Sequence, residues 1–220
     1  MFAVIFEVVP KPERWDQYLE LAKLLRPELE KIDGFLDNER FTSLRNKRRL
    51  LSLSIWHDEK AVIRWRTLAV HHRVQEQGRF EVFRDYHLRV GEITADDHLP
   101  PGQTLRQYRL DETEVGEPKA VTLSELPGLS GKPATANLPG DLGMPQVGTS
   151  GLLEQEVYAS IYSPGKLLLL GGWRDAGSAT AWKPSPSLPP ELRHRQVRIV
   201  RDYGMFDRRE APQYYPEVQR

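Results

Sequence analysis

The chain has 220 residues, with 31 basic and 31 acidic side chains and no cysteine. That balance excludes a broad basic field for nucleic acid or a membrane surface, and the lack of thiols excludes disulfides, thiolate nucleophiles and thiolate metal sites. Hydrophobic residues make up 39%, with five Trp, eight Tyr and seven Phe, enough for a packed core in one large domain or two of about 100 residues each.

Residues 3–9 are β-branched and aromatic and are stopped by Pro10 and Pro12. With no basic run before them and no small-residue cleavage site after, they read as a strand and not as a signal peptide. No apolar stretch approaches the roughly 18–20 residues of a membrane span. The expectation is a cytoplasmic protein without a nucleic-acid or membrane partner. Residues 13–32 follow as a helix, because Trp15, Tyr18, Ala22, Leu25, Leu29 and Ile32 recur at three- and four-residue steps. Pro27 is expected to kink or divide it, and Asp33-Gly34 ends it. Residues 35–44 and 49–56 form a hairpin about the polar turn at 45–48. Asp58 is the natural N-cap of a helix over 59–77 that Gly78 closes, and 80–93 is a fourth strand. The order β-α-β-β-α-β is that of a ferredoxin-like domain. One sheet face is left open, and its residues are not all polar.

The second half repeats the first. Trp56, Asp58 and Trp65 return as Trp173, Asp175 and Trp182, and Arg84-Asp85-Tyr86 returns as Arg201-Asp202-Tyr203, every pair 117 positions apart. Ala61 is answered by Ser178. At the same offset, strands at 120–127, 151–156, 166–173 and 198–206 match those of the first copy. The helices do not persist: 129–150 is too rich in Gly and Pro, and at most about two helical turns remain after Ala176. The chain divides into a complete repeat at 1–95, a linker at 96–118 with a bridging strand over 105–110, and a degenerate repeat at 119–220. Two antiparallel sheets packed face to face would cover each other's open side.

The first copy resembles the antibiotic biosynthesis monooxygenase family. The resemblance rests on Ser54-x-Trp56, Ala61, Trp65, His71-His72, Gln75-x-x-Gly78 and Tyr86-x-Leu88-x-Val90. It implies an α+β fold of the dimeric α+β barrel type, here built within one chain as a monomeric pseudo-dimer or carried further into a homodimer. It also implies a small aromatic or polyketide-like substrate oxidised with dioxygen and no cofactor. Non-catalytic ligand binding by a structural pseudo-dimer is the alternative from another class. Haem binding or degradation fits less well: the first strand offers Ile5, Phe6 and Glu7 where the resembling haem enzymes place an asparagine, and His72 follows Trp65 too closely.

On one continuous 59–77 helix, Ala61, Trp65, Leu68 and His72 share the face packed on the sheet. His72 is then either a packing histidine or a base, with His71 as understudy at the rim. The second copy has Leu188 and Pro189 at those positions, which favours a function confined to the first copy. Trp65 resembles the family's pocket tryptophan. Trp56, Arg84 and Tyr86 are the further substrate-binding candidates, Arg84 being directed inward because it is placed on the same strand face as Tyr86. No His/Asp/Glu cluster has metal spacing, and no phosphate loop or nucleophile elbow is present.

Overall fold

Strand and helix signals convert into elements largely in the order read. A computed structural model describes residues 1–128, 137–185 and 190–219. The first half contains β1 (Phe2–Pro10), α1 (Trp15–Glu30), β2 (Phe35–Ser43), β3 (Leu50–Trp56), α2 (Glu59–Thr67), α3 (Ala69–Gln77) and β4 (Phe83–Asp96). The second half has β5 (Ala120–Leu126), α4 (Leu138–Asp141), β6 (Leu152–Ser160), β7 (Leu167–Trp173), α5 (Ala176–Ala181) and β8 (Arg193–Gly204). All eight strands close into one barrel in the order β1-β3-β2-β6-β7-β5-β8-β4. Each half supplies one antiparallel four-stranded sheet, and the halves join where β2 pairs with β6 and β4 with β8.

Alternation along the strands separates two cores. Ala3, Ile5, Leu51, Leu53 and Ile55 point into the barrel and meet Val121, Leu123, Leu168, Leu170 and Val197 from the other half. That contact covers the sheet face that the sequence left open. The outer face of the first half takes α1 through Tyr18, Ala22, Leu25 and Leu29. Burial of the Leu25 and Leu29 side chains stabilises by roughly 1.5–3 kcal/mol each. Within the barrel, Arg89 is 1% exposed and is paired with both Glu7 and Glu154. Burial alone would raise the Glu7 carboxyl, but Arg89 and the Tyr158 hydroxyl, 2.5 Å away, hold it below its ordinary value.

The helix starts are built alike in both halves. Asp58 accepts from the Ala61 amide at 2.8 Å, and Asp175 accepts from the Ser178 amide at 2.6 Å. Gly34 (φ +87°) and Gly151 (φ +80°) precede the equivalent strands, and a Cβ on either would strike Ala61 or Ser178. Close approach of chain to helix therefore explains the small residue kept at 61 and 178.

Several expectations need correction. The offset of 117 does not hold throughout. Phe2 faces Trp56 as Ala120 faces Trp173, so the first strands correspond at 118. Arg89 opposes Ile5 as Arg195 opposes Leu123, so the last strands correspond at 106. Arg201-Asp202-Tyr203 thus has no structural counterpart at 84–86. It lies on the part of β8 that runs beside β4, with Tyr203 opposite Leu88 and Arg201 opposite Val90. A shift of one residue exchanges the two faces of a strand, so only the ladders fix the correspondence. Pro27 does not divide α1, since Pro27 and Lys23 are both exposed and water can take the carbonyl freed there. Residues 105–110 are not a strand; the Glu92 carboxylate instead accepts from the Tyr108 and Arg109 amides. Within 129–150 the described residues hold a single helical turn, α4, and residues 129–136 lie outside those described, as do Leu188 and Pro189.

A composite cavity as candidate functional site

Against expectation, the 59–77 helix is two helices. Leu68 adopts an extended conformation (φ −62°, ψ 127°), ending α2 and restarting the chain as α3. The break leaves the Trp65 carbonyl at a helix end, where the Leu68 amide and the His71 ring bond to it. His71 Nδ1 lies 2.9 Å from that carbonyl, which can only accept, so Nδ1 carries the proton and Nε2 is the free acceptor. The imidazole stacks on the Trp65 indole with centroids 4.0 Å apart and planes at 17°. Burial pushes its pKa down to about 4, against a raising contribution from the Trp65 carbonyl, so the ring is neutral at pH 7.

The stack forms one wall of a cavity of about 200 Å³ on the outer face of the first sheet. Its floor is Val4, Phe6, Ser52, Ser54, Leu88 and Val90, the outward positions of β1, β3 and β4. The opposite wall is α1 through Ala22, Leu25 and Leu29. The second half completes it. Arg201 and Tyr203 reach in from β8, and the segment after it folds back to bring Arg208, Pro212, Gln213 and Tyr215 over the opening. Two arginines tie this segment down. Arg79 is 2% exposed and donates to Tyr86 Oη (3.2 Å), the Met205 carbonyl (2.7 Å) and the Pro216 carbonyl (3.0 Å). Arg208 donates to Tyr86 Oη (2.7 Å) and the Gln213 carbonyl (2.8 Å) and sits over the Tyr203 and Tyr215 rings. With its oxygen accepting from two guanidinium groups, Tyr86 keeps its own O–H to donate. Burial raises Tyr203 to about 12, with Tyr86 adding to the rise and Arg66, Arg208 and Arg201 opposing it.

The corresponding place in the second half is filled. Trp182 stacks on Trp173 (5.7 Å, 26°) and donates to the Gly143 carbonyl, while Leu138, Leu142 and Met144 belong to the same apolar cluster as the two rings. The turn that replaces the lost helix thus occupies the space that is open in the first half.

A family model described as antibiotic biosynthesis monooxygenase matches residues 1–77. A protein of Pyricularia oryzae named jasmonate monooxygenase ABM is 43% identical over 98% of this chain and 99% of its own. This chain belongs to the antibiotic biosynthesis monooxygenase family. A solved structure of an aldoxime dehydratase shares the fold across 90% of this chain and 80% of that one, at 13% identity and a TM-score of 0.53. A solved antibiotic biosynthesis monooxygenase matches at 19% identity over 41% of this chain and 95% of that one, with a TM-score of 0.38. No helix among the described residues is long and apolar enough to cross a membrane.

In this chain the sequence candidates fall into two groups. Trp65, His71 and Tyr86 meet in the cavity. His72 does not: it is exposed, with Nδ1 3.1 Å from Tyr215 Oη, because the break at Leu68 turns His71, Val74 and Gln75 inward in its place. Trp56 lies on the same outward face of β3 as Ser54 but is fully buried outside the cavity in a cluster with Phe2, Leu29 and Ala61, donating to Ser54 Oγ and packing edge-on to Phe35. Arg84 is exposed, since the register shift between Val9 and Pro10 leaves it unpaired in a bulge, and the alternation from Tyr86 stops short of it. The arginines that do line the cavity went unassigned in the sequence. Arg201 and Tyr203 were visible in the repeated triplet, and Arg79 followed the Gly78 that closes the helix.

Proposed function

We propose that this chain is a monooxygenase that takes a small, largely apolar ring-bearing molecule and dioxygen into the first-half cavity and needs no bound cofactor. The observation carrying this reading is the meeting of a neutral histidine with a free Nε2 and a doubly supported tyrosine hydroxyl in one mainly apolar cavity. A phenol or an enolisable ring ketone supplies its own electrons once deprotonated. Oxidation of a CH₂ group to C=O by one dioxygen, with water as second product, balances without an external reductant. His71 Nε2 would accept the hydrogen bond from the acidic position. With a pKa of about 4 it is a weak base, so proton removal depends on stabilising the anion. Tyr86, polarised by Arg79 and Arg208, is the group that would donate to the oxygen on which charge develops. The relative named for jasmonate makes jasmonate the first substrate to test, followed by hydroquinones and anthrones.

An oxygen electrode with chelator-treated protein and no added reductant tests this. Substrate-dependent oxygen uptake, with one atom of ¹⁸O₂ appearing in the product, is expected. Uptake that starts only with an added metal or reductant would overturn cofactor independence. Tight binding without uptake across the panel would make the chain a non-catalytic ligand binder.

A further inference from the structure

Elsewhere in this molecule buried arginines are matched with carboxylates. Arg89 has Glu7 and Glu154, Arg195 has Glu125 and Asp96, and Arg198 has Glu92. The cavity departs from that pattern. Six arginines line it: Arg26 is paired with Glu30, and among the described residues Arg40, Arg66, Arg79, Arg201 and Arg208 have no ion pair. The carboxylate lining the cavity, that of Glu59, is already held by Arg109 Nη1 at 2.8 and 3.0 Å. Arg79 is buried with hydroxyl and carbonyl oxygens as its partners, and the Nε atoms of Arg66 and Arg79 are buried with none. A guanidinium removed from water without a counter-charge is unfavourable. In a chain of zero net charge, this cavity holds a local surplus of positive charge.

The five are not equivalent, and Arg40 is already bonded to Asn38 and Tyr162. Arg79 and Arg208 are committed to Tyr86 and to the carbonyls of the C-terminal segment. Arg66 on α2 and Arg201 on β8 have no hydrogen-bond partner among the described residues, and both lie near the Tyr203 hydroxyl. A guanidinium presents a planar fork that matches the two oxygens of a carboxylate. The adjoining floor, Val4, Leu88 and Val90, is apolar.

We propose that the occupant of this cavity is an apolar carboxylate, its carboxyl group seated between Arg66 and Arg201 and its body lying on the aliphatic floor. The proposal rests on the reading of the cavity as the substrate site and adds the class of substrate and the residues that select it. Arg79 and Arg208 act at one remove, by holding Tyr86 and the closing segment and by adding to the positive potential.

Two acid and ester pairs test it: jasmonate against its methyl ester, and 1-naphthylacetate against its methyl ester. Binding is measured by calorimetry and by quenching of tryptophan fluorescence. The acids are expected to bind roughly 10–100-fold more tightly than the esters. That preference should shrink as salt rises. Arg201→Gln and Arg66→Gln should each remove most of it while leaving ester affinity within about threefold, and Arg174→Gln, at an arginine outside the cavity and paired with Asp175, should leave it intact. Were either variant poorly folded, the salt dependence in the unaltered protein would still decide. Esters binding as well as acids would overturn the carboxylate seat and leave the monooxygenase reading standing. Acids preferred but never oxidised would retain the seat and overturn the oxygenase reading. Binding of neither member of either pair would overturn the seat as stated.

Discussion

Two adjacent histidines of this chain meet opposite surroundings, and that difference decides what their removal does. His71 is stacked on Trp65 inside the cavity, whereas His72 faces solvent beside Tyr215. His71→Ala is expected to lower the turnover number by about 10²-fold or more, and His72→Ala to stay within about threefold, both read as oxygen uptake. The reverse order would return the site to the continuous-helix geometry. His71 and His194 are both pushed down to about 4, in each case chiefly by burial. Folded, each binds fewer protons than unfolded between about pH 4 and 6.5, so its contribution is complete above 6.5 and is lost as the pH falls. The expected loss is about 2 kcal/mol per histidine between pH 7 and pH 5. Glu7 and Glu125, held low by arginine, lose their contributions only below the ordinary carboxylate range, so the window from 5 to 6.5 belongs to the histidines. His98 shifts upward through its bond to Asp97, but it is exposed and screened. Urea unfolding at the two pH values checks this, and equal stabilities would contradict it. Both candidate histidines stood out in the sequence, being absent from the second copy. Choosing between them required the break at Leu68, and leucine, a good helix former, gives no warning of one.

Among the elements, the segment after β8 carries a function that its composition does not advertise. PQYYPEVQR has no periodicity, yet it roofs the cavity through Gln213, Tyr215 and the Pro216 carbonyl. Its ties run to Arg79, Arg208 and His72, and no strand pairing depends on it, since β8 ends at Gly204. Deleting residues 211–220 is therefore expected to leave the thermal midpoint within a few degrees. Opening the roof should raise KM by roughly 10-fold, by lost contact and admitted water. Oxygen-uptake kinetics on the truncated chain measure this, and an unchanged KM would show the roof to be idle. The loss of helices from the second copy could be read directly from its proline and glycine content. That the replacing turn would fill the vacated space with Leu138, Leu142 and Met144 depended on three-dimensional packing.

At the scale of the whole barrel, the two joints between halves are unequal. β4 and β8 pair along nine positions, from His87–Gly204 to Asp96–Arg195. β2 and β6 pair at three, Phe41–Ser160, Thr42–Ala159 and Ser43–Tyr158, extended by the bonds from Ile161 to Arg40 and from Leu44 to Val157. Side chains reinforce the shorter joint: Lys166 pairs with Glu39 and, at 2.7 Å, with Glu125, and the Ser160 hydroxyl donates to Glu39. These ties are partly exposed and replace few backbone bonds, so opening there costs less than parting β4 from β8. The cavity straddles the longer joint, since Leu88 and Val90 come from β4 and Arg201 and Tyr203 from β8. The duplication thus places the site on its firmer seam. Native-state hydrogen exchange should show amides at 41–44 and 158–161 exchanging through a lower-energy opening than those at 87–93 and 197–204. Added ligand should slow the second set more than the first, because it bridges β4 and β8. Equal protection at both joints would mean that the barrel opens as a single unit and that the seams are not separate.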